Sequence, residues 1–284
     1  MRKIAVISDI HANIDALKLV FLDIERNNVD EIVCLGDLVT KYFYPSEVVD
    51  MVRKNAFIVV KGNCDWLVSS DERYKFARAK LGLDRIEYLA NLPIINHIFI
   101  DRSLVNFYHS VPYDLTSMFN PLFTFNNMTS YKDKVISDYN KMFLAHDGEI
   151  SFMGHTHQHY IGMEVNNELA IVDDNVNVNS FNRVLVNVGG VGEHIHMCLN
   201  NDGVYRSLID DYITYGLISY GNKNDINIEI KKISYVDTLE KVYFSMIDMQ
   251  NKELVPYSPN DTNRVYESLV SMKRKVRKPD LIKR

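Results

Sequence analysis

Six short apolar runs punctuate this chain, and each stops at a polar or glycine-containing turn: KIAVIS runs into Asp9, EIVCLG into Asp37, AFIVVKG into Asn63, LVNFY into His109, ISFMG into His155 and RVLVNV into Gly189. Their length and their Val, Ile and Phe content favour buried strands over helices. Between the first three lie helical patterns. NIDALKLVFLDIERNN sets Ile14, Leu17, Val20, Phe21 and Ile24 on one face, and PSEVVDMVRKN opens with proline and repeats Val48, Val49 and Val52. Strands and helices alternating at this spacing demand parallel crossover units, which are right-handed and need helical cover.

From about 95 to 109, and again from about 160 to 209, strands follow one another through hairpin-like turns such as EVNNELAIV and LNNDGVYRSL. A second, more antiparallel sheet is expected there. Two sheets face to face with helices outside make an α/β domain over residues 1–235. Segments 66–92 and 112–149 read as helical, the second placed to overhang a site as a lid. Residues 236–284 are expected to be a helical C-terminal extension, ending in a basic run of Lys273, Arg274, Lys275, Arg277 and Lys278 that reads as a solvated helix end suited to the helix dipole.

Composition narrows the function classes. No apolar run approaches the ~18 residues of a membrane helix, and the opening residues reach Asp9 and His11 too soon for a leader, so a cytoplasmic location is expected. A net charge of -5 gives no strong nucleic-acid signal. Cys34, Cys64 and Cys198 lie far apart without a CxxC pair, which argues against a disulfide framework or a zinc knuckle.

Nearly every metal-type side chain follows an apolar run, at the carboxyl end of an expected strand, the edge where open α/β sheets bind ligands. Asp9, His11, Asp37, Asn63, His109, His155 and His157 are therefore candidates for one site. Singly, each has an ordinary explanation as a cap, a turn residue or a surface histidine; seven together do not. Two aspartates, an asparagine and four histidines supply enough oxygen and imidazole for two divalent ions if one carboxylate is shared, a donor set that suits Mn, Fe, Zn, Co or Ni.

The ordered series SDIHAN, LGDLV, KGNCD, YHS and GHTHQ resembles the calcineurin-like metallophosphoesterase superfamily, and most of all its small bacterial and archaeal phosphodiesterase branch. NVGGVGEHIH is similar to the glycine loop of that branch, and the resemblance spans about residues 3–235. It implies a four-layer αββα sandwich of two mixed β-sheets flanked by helices. It also implies that Asp9, His11 and His157 bind one metal, that Asn63, His109 and His155 bind the second, that Asp37 bridges, and that metal-bound hydroxide attacks a phosphodiester or small phosphorylated metabolite.

The chain departs from the family pattern in two places. Cys64 stands where many relatives have a histidine that touches the phosphate, and lowers the odds of a protein phosphatase. Glu193, His194 and His196 follow the glycine loop where relatives tend to carry proline and arginine, leaving His194 and His196 either as substitute phosphate contacts or as alternating strand residues. His159 is either a ligand-orienting group or an exposed strand histidine, and Asp65 is expected to be structural; His97 and His146 fall outside every motif. The expected catalytic group is thus Asp37, Asn63, Cys64 and His109, with Asn63, Cys64, His194 and His196 toward substrate. Hydrolysis of a dinucleoside polyphosphate, a protein phosphatase and a non-catalytic scaffold on the same fold are the other readings; a scaffold is expected to show degraded ligand positions, and none is degraded here.

Overall fold

The computed structural model describes residues 1–112, 114–116, 149–165, 168–178, 183–199, 205–221, 225–251 and 259–277. The first run opens as expected: β1 (Arg2–Ile7), α1 (Ile14–Arg26), β2 (Glu31–Cys34), α2 (Pro45–Asn55) and β3 (Ile58–Val59) alternate, with β1, β2 and β3 parallel. The periodic face of α1 buries Ile14, Leu17, Val20 and Ile24, while α2 starts on Pro45, whose fixed φ and missing N–H suit a first helical position. Helices α3 (Asn63–Ser70) and α4 (Lys75–Asn91) fill the segment read as helical.

The second sheet begins with the hairpin of β4 (Ile95–Ile100) and β5 (Ser103–Tyr108) and continues through β6 (Ile150–Met153). Then come β7 (His159–Val165), β8 (Glu168–Val172), β9 (Asn175–Val178), β10 (Val184–Val188), β11 (Ile195–Leu199), β12 (Tyr205–Ile209), β13 (Tyr212–Tyr220) and β14 (Ile226–Ser234). The first sheet runs β3-β2-β1-β13-β14-β9 and the second β4-β5-β6-β10-β7-β8. Both are mixed, because β1–β3 and β5, β6, β10 are parallel and the remaining pairs antiparallel.

Two details differ from the sequence reading. Strand β9 leaves the second sheet to pair with β14, and β11 with β12 forms a separate two-stranded ribbon. Hairpin signals specify which strand follows which, but leave open the sheet each strand joins. Most of the expected lid over 112–149, and with it the expected outer helices of the second sheet, lies outside the described residues, as does the end of the basic run.

Alternation along the strands sorts the core. Ile4 and Val6 of β1, Val33 of β2, Phe107 of β5, Phe152 of β6 and Val186 of β10 fill the space between the sheets. Ala5, Ile7 and Cys34 face the opposite way, into a cluster with α1, α2 and α4. Helices α5 (Val236–Asn251) and α6 (Pro259–Arg277) join that same cluster through Leu239, Val242, Met246, Val265, Leu269 and Met272. Tyr108, Met153, Tyr160 and Leu185 make a smaller apolar cluster on the outer face of the second sheet. Among the described residues no helix is long and apolar enough to cross a membrane.

Phe107 and Phe152 stack across β5 and β6 with ring centroids 5.7 Å apart, both fully buried between the sheets. Phe152→Ala is expected to lower unfolding free energy by about 3–5 kcal/mol, read from urea denaturation midpoints at unchanged slope.

Candidate metal centre

The six parallel strands of the two sheets deliver their following loops to one edge. Three residues past β2, Asp37 meets the loop after β1: Ile10 N–H and His11 N–H both donate to its carbonyl at 2.9 Å. The loop after β6 joins from the other sheet, where His155 N–H donates to Asp9 Oδ2 at 2.8 Å and Gly154 N–H to the His109 carbonyl at 2.9 Å. All seven candidates named above are brought together in this way, from five loops.

Three of the four imidazoles are aimed by the main chain. Nδ1 of His109 lies 2.9 Å from the Leu35 carbonyl, that of His157 3.0 Å from the Glu193 carbonyl, and that of His11 3.3 Å from the Val39 carbonyl. A carbonyl only accepts, so Nδ1 carries a proton and Nε2 is turned toward the site. Thus Nε2 of His11 and of His157 face each other at 3.0 Å, 3.8 and 3.4 Å from Asp9 Oδ1. Nε2 of His109 lies 3.0 Å from Asn63 Oδ1 and 3.5 Å from Asp37 Oδ2, which is itself 3.7 Å from His11 Nε2.

Among the described residues three sets offer ligand atoms within 4.8 Å of one another: Asp9, His11 and His157; Asp37, His109 and His155; and His11, Asp37 and Cys64. Asp37 belongs to two of them. Asp9 Oδ1 and His155 Nε2 are buried without a hydrogen-bond partner, as a cation's ligands would be in its absence. The donor set and these two orphaned atoms fit divalent metal ions.

Charge is distributed unevenly over the site. Burial pushes His11 down to about 3 and His157 down to about 4, with the Lys41 ammonium adding to both. Burial and His109 likewise hold His155 below its usual value. For His109 burial acts in the same sense, but the charge and hydrogen bond of Asp37, with Asp9 and Asp65, outweigh it and raise it to about 9. Asp37 stays ionised despite its burial, chiefly through the charge and hydrogen bond of His109 and the hydrogen bond of the Cys64 amide. The Cys64 thiol is pushed up by burial and by Asp37, so it is protonated at neutral pH.

Five of the seven candidates sit at positive φ: Asp9 at 53°, His11 at 51°, Asp37 at 53°, His155 at 67° and His157 at 57°. Non-glycine residues seldom adopt this region, and its concentration here marks backbone strain gathered at one place. Gly62 is required by close approach, since a Cβ on it would lie 2.1 Å from Asp37 Oδ1. Fully buried Asp65 ties these loops together, accepting from the backbone N–H of Asp37 at 2.8 Å, of Leu38 at 2.9 Å and of Gly62 at 2.9 Å.

His194 and His196 belong to a different group. His194 Nδ1 contacts Asp210 Oδ2 at 2.6 Å, its Nε2 contacts His159 Nδ1 at 2.7 Å, and His196 Nδ1 lies 2.8 Å from Asp210 Oδ1. His159 in turn reaches Asp174 at 3.2 Å. His97 is exposed on β4. Four residues at the site were not anticipated: Thr40, whose hydroxyl is 3.2 Å from His11 Nδ1, and Lys41, Tyr42 and Arg264, which surround Glu193. A signal for Lys41 and Tyr42 existed in their position four and five residues after Asp37; Arg264 offered none.

The family model for calcineurin-like phosphoesterases matches residues 2–181. An uncharacterized protein of Methanocaldococcus jannaschii is 26% identical over 255 residues, covering 86% of this chain and 91% of that one. Among solved structures, a metallophosphoesterase from Sphaerobacter thermophilus is similar with a TM-score of 0.64 at 24% identity, over 93% of this chain and 98% of that one. A hypothetical protein from Pyrococcus horikoshii gives a TM-score of 0.63 at 16% identity over the same shares. These two likenesses concern the fold.

Asp65→Ala strands three buried N–H groups, and a loss on the order of 3 kcal/mol or more is expected, measured by thermal unfolding of the metal-free protein. Asp210 is held below the usual carboxylate range by the hydrogen bonds of His194 and His196, which outweigh its partial burial. A lowered folded value gives stability that is present above about pH 4 and lost as pH falls through the acid range. In Asp210→Asn the fall of Tm between about pH 5 and pH 3 should be shallower than in the wild type.

Proposed function

Because this chain belongs to the calcineurin-like phosphoesterase family, we propose that it is a phosphoesterase with a two-metal site, acting on a phosphodiester or a small phosphorylated metabolite. In this reading Asp9, His11 and His157 hold one ion, Asn63, His109 and His155 hold the other, and Asp37 is shared. The carrying observation is that Asp9 Oδ1 and His155 Nε2 are buried without a hydrogen-bond partner, set among imidazole nitrogens turned inward. Divalent transition-metal ions held by these residues would supply Lewis-acid polarisation of a phosphoryl group and activation of water at neutral pH.

The protein's own groups do the positioning. Main-chain carbonyls fix the imidazoles, and Asp37 is pinned at Oδ1 by the Cys64 N–H at 2.8 Å, which leaves Oδ2 facing His11 and His109. Asn63 and Cys64 open α3 beside Asp37, and the amides at this helix start are already committed, Gly62 N–H to Asp65 and Cys64 N–H to Asp37. The Cys64 thiol, kept protonated, is a weak hydrogen-bond donor to a substrate oxygen and not a nucleophile.

The test is hydrolysis of an aryl phosphodiester and the matching monoester, metal-free and with Mn²⁺, Co²⁺, Ni²⁺ or Zn²⁺, beside Asp37→Ala. Metal-dependent turnover of the diester, lowered by at least about a hundredfold in the variant, is the expected outcome. Two ions bound with no turnover of either ester under any metal would overturn the reading.

A further inference from the structure

Beside the metal centre stands a group of charges that the family motifs do not include. Glu193 has no accessible surface, and its carboxylate receives Lys41 Nζ at 2.8 Å, Tyr42 Oη at 2.9 Å and Arg264 NH2 at 2.8 Å to both oxygens. Two cations therefore share one buried carboxylate. The two cations differ in where they lead. Arg264 comes from α6, whose next turns are locked into the core by Val265 and Leu269 and by the Ser268 hydroxyl, an acceptor for Ile209 N–H at 2.9 Å. Lys41 comes from the metal-site loop, and its Nζ also lies 3.3 Å from His157 Nε2. Its side chain keeps 28% of its surface accessible while that of Glu193 has 0%.

The backbone beneath Lys41 is strained to make this placement. Thr40 and Lys41 both adopt positive φ, 77° and 59°, which for a β-branched residue such as Thr40 is a clear outlier. That turn is held by Tyr42 N–H on the His11 carbonyl at 3.0 Å and by the Thr40 hydroxyl beside His11. Strain at two successive residues, fixed at both ends by the metal-site loops, aims one long cationic side chain at the edge of the metal centre.

We propose that Lys41 is the protein's cationic contact to a phosphoryl oxygen of the substrate, and that Glu193, clamped by Arg264 of the C-terminal helix, is the positioning residue that holds the ammonium beside His157. This rests on the phosphoesterase reading and names the group that recognises the anion there. An ammonium is a point charge with three donors, suited to one phosphoryl oxygen rather than to bidentate grip. It takes the place in chemistry, though not in sequence, of the arginine missing after the glycine loop. Helix α6 thereby contributes to substrate binding through a residue that never touches substrate.

The experiment is calorimetric binding of inorganic phosphate to the manganese-loaded full chain, with manganese stoichiometry measured on every variant. Lys41→Met should keep two manganese ions and weaken phosphate binding by about tenfold or more, whereas Lys41→Arg should stay within about threefold of the wild type. Arg264→Met should weaken phosphate binding less, and should add nothing to Lys41→Met in the double variant, since it acts only through Lys41. With a hydrolysable ester, the Lys41→Met loss should fall mainly on KM. Unchanged phosphate affinity in Lys41→Met would overturn the inference, as would loss of manganese from that variant, or a manganese-loaded wild type that takes up no phosphate. Lys41-dependent phosphate binding in a protein that hydrolyses neither ester would uphold the anion contact and overturn the phosphoesterase reading instead.

Discussion

The loops carrying Asp37 and Asn63 are joined by a single carboxylate that no solvent reaches. Asp65 collects N–H groups from both loops, and its burial together with the nearby charge of Asp37 lifts it to about 7 even though the Gly62 and Leu38 amides pull the other way. A buried carboxylate with three amides around it has few alternative partners, so the two loops cannot drift apart without leaving those groups unmet. Asp37 is thus fixed before any ligand arrives, and His11 and His109 are placed relative to it. The expectation that Asp65 is structural agrees with this geometry, and the cysteine at position 64 leaves that role untouched.

Local preference alone does not build such a site. Positive φ at five non-glycine residues runs against intrinsic bias by roughly 1–2 kcal/mol each, and cross-loop bonds offset it: Asp9 N–H to the Gly36 carbonyl at 3.1 Å, Ala12 N–H to Leu38 at 2.7 Å, Gly192 N–H to Asp9 at 2.8 Å. The strands supply the rigid frame, and the strain is confined to the turns just past their ends. Metal-type residues and unfavourable backbone therefore coincide because the same turns must reverse the chain and present side chains to one point.

Much of this was legible in sequence because apolar runs and ordered motifs are local signals. The parallel units, the second sheet and the seven residues at strand ends all follow from spacing within short stretches. What stayed hidden depended on contacts across the chain. Nothing near Val178 says that β9 pairs with β14, and Arg264 meets Glu193 across 71 positions. Glu193 itself stood out as a departure from the family loop, yet its acid character looked like a lost cation, when it is the anchor for two of them. Of the histidines after it, His194 precedes β11 and His196 lies within it, and their acidic partner, Asp210, follows β12, directly across the ribbon from His194.

The orientation of His11, His109 and His157 by main-chain carbonyls has an evolutionary consequence. Carbonyls of Val39, Leu35 and Glu193 are present whatever side chain occupies those positions, so the aim of the imidazoles survives substitution of the residues that set it. A lineage can then exchange a neighbour of the centre, such as a histidine for Cys64, without disturbing the nitrogens themselves. Chemistry is inherited through the backbone, while the side chains around it remain free to diversify toward new substrates.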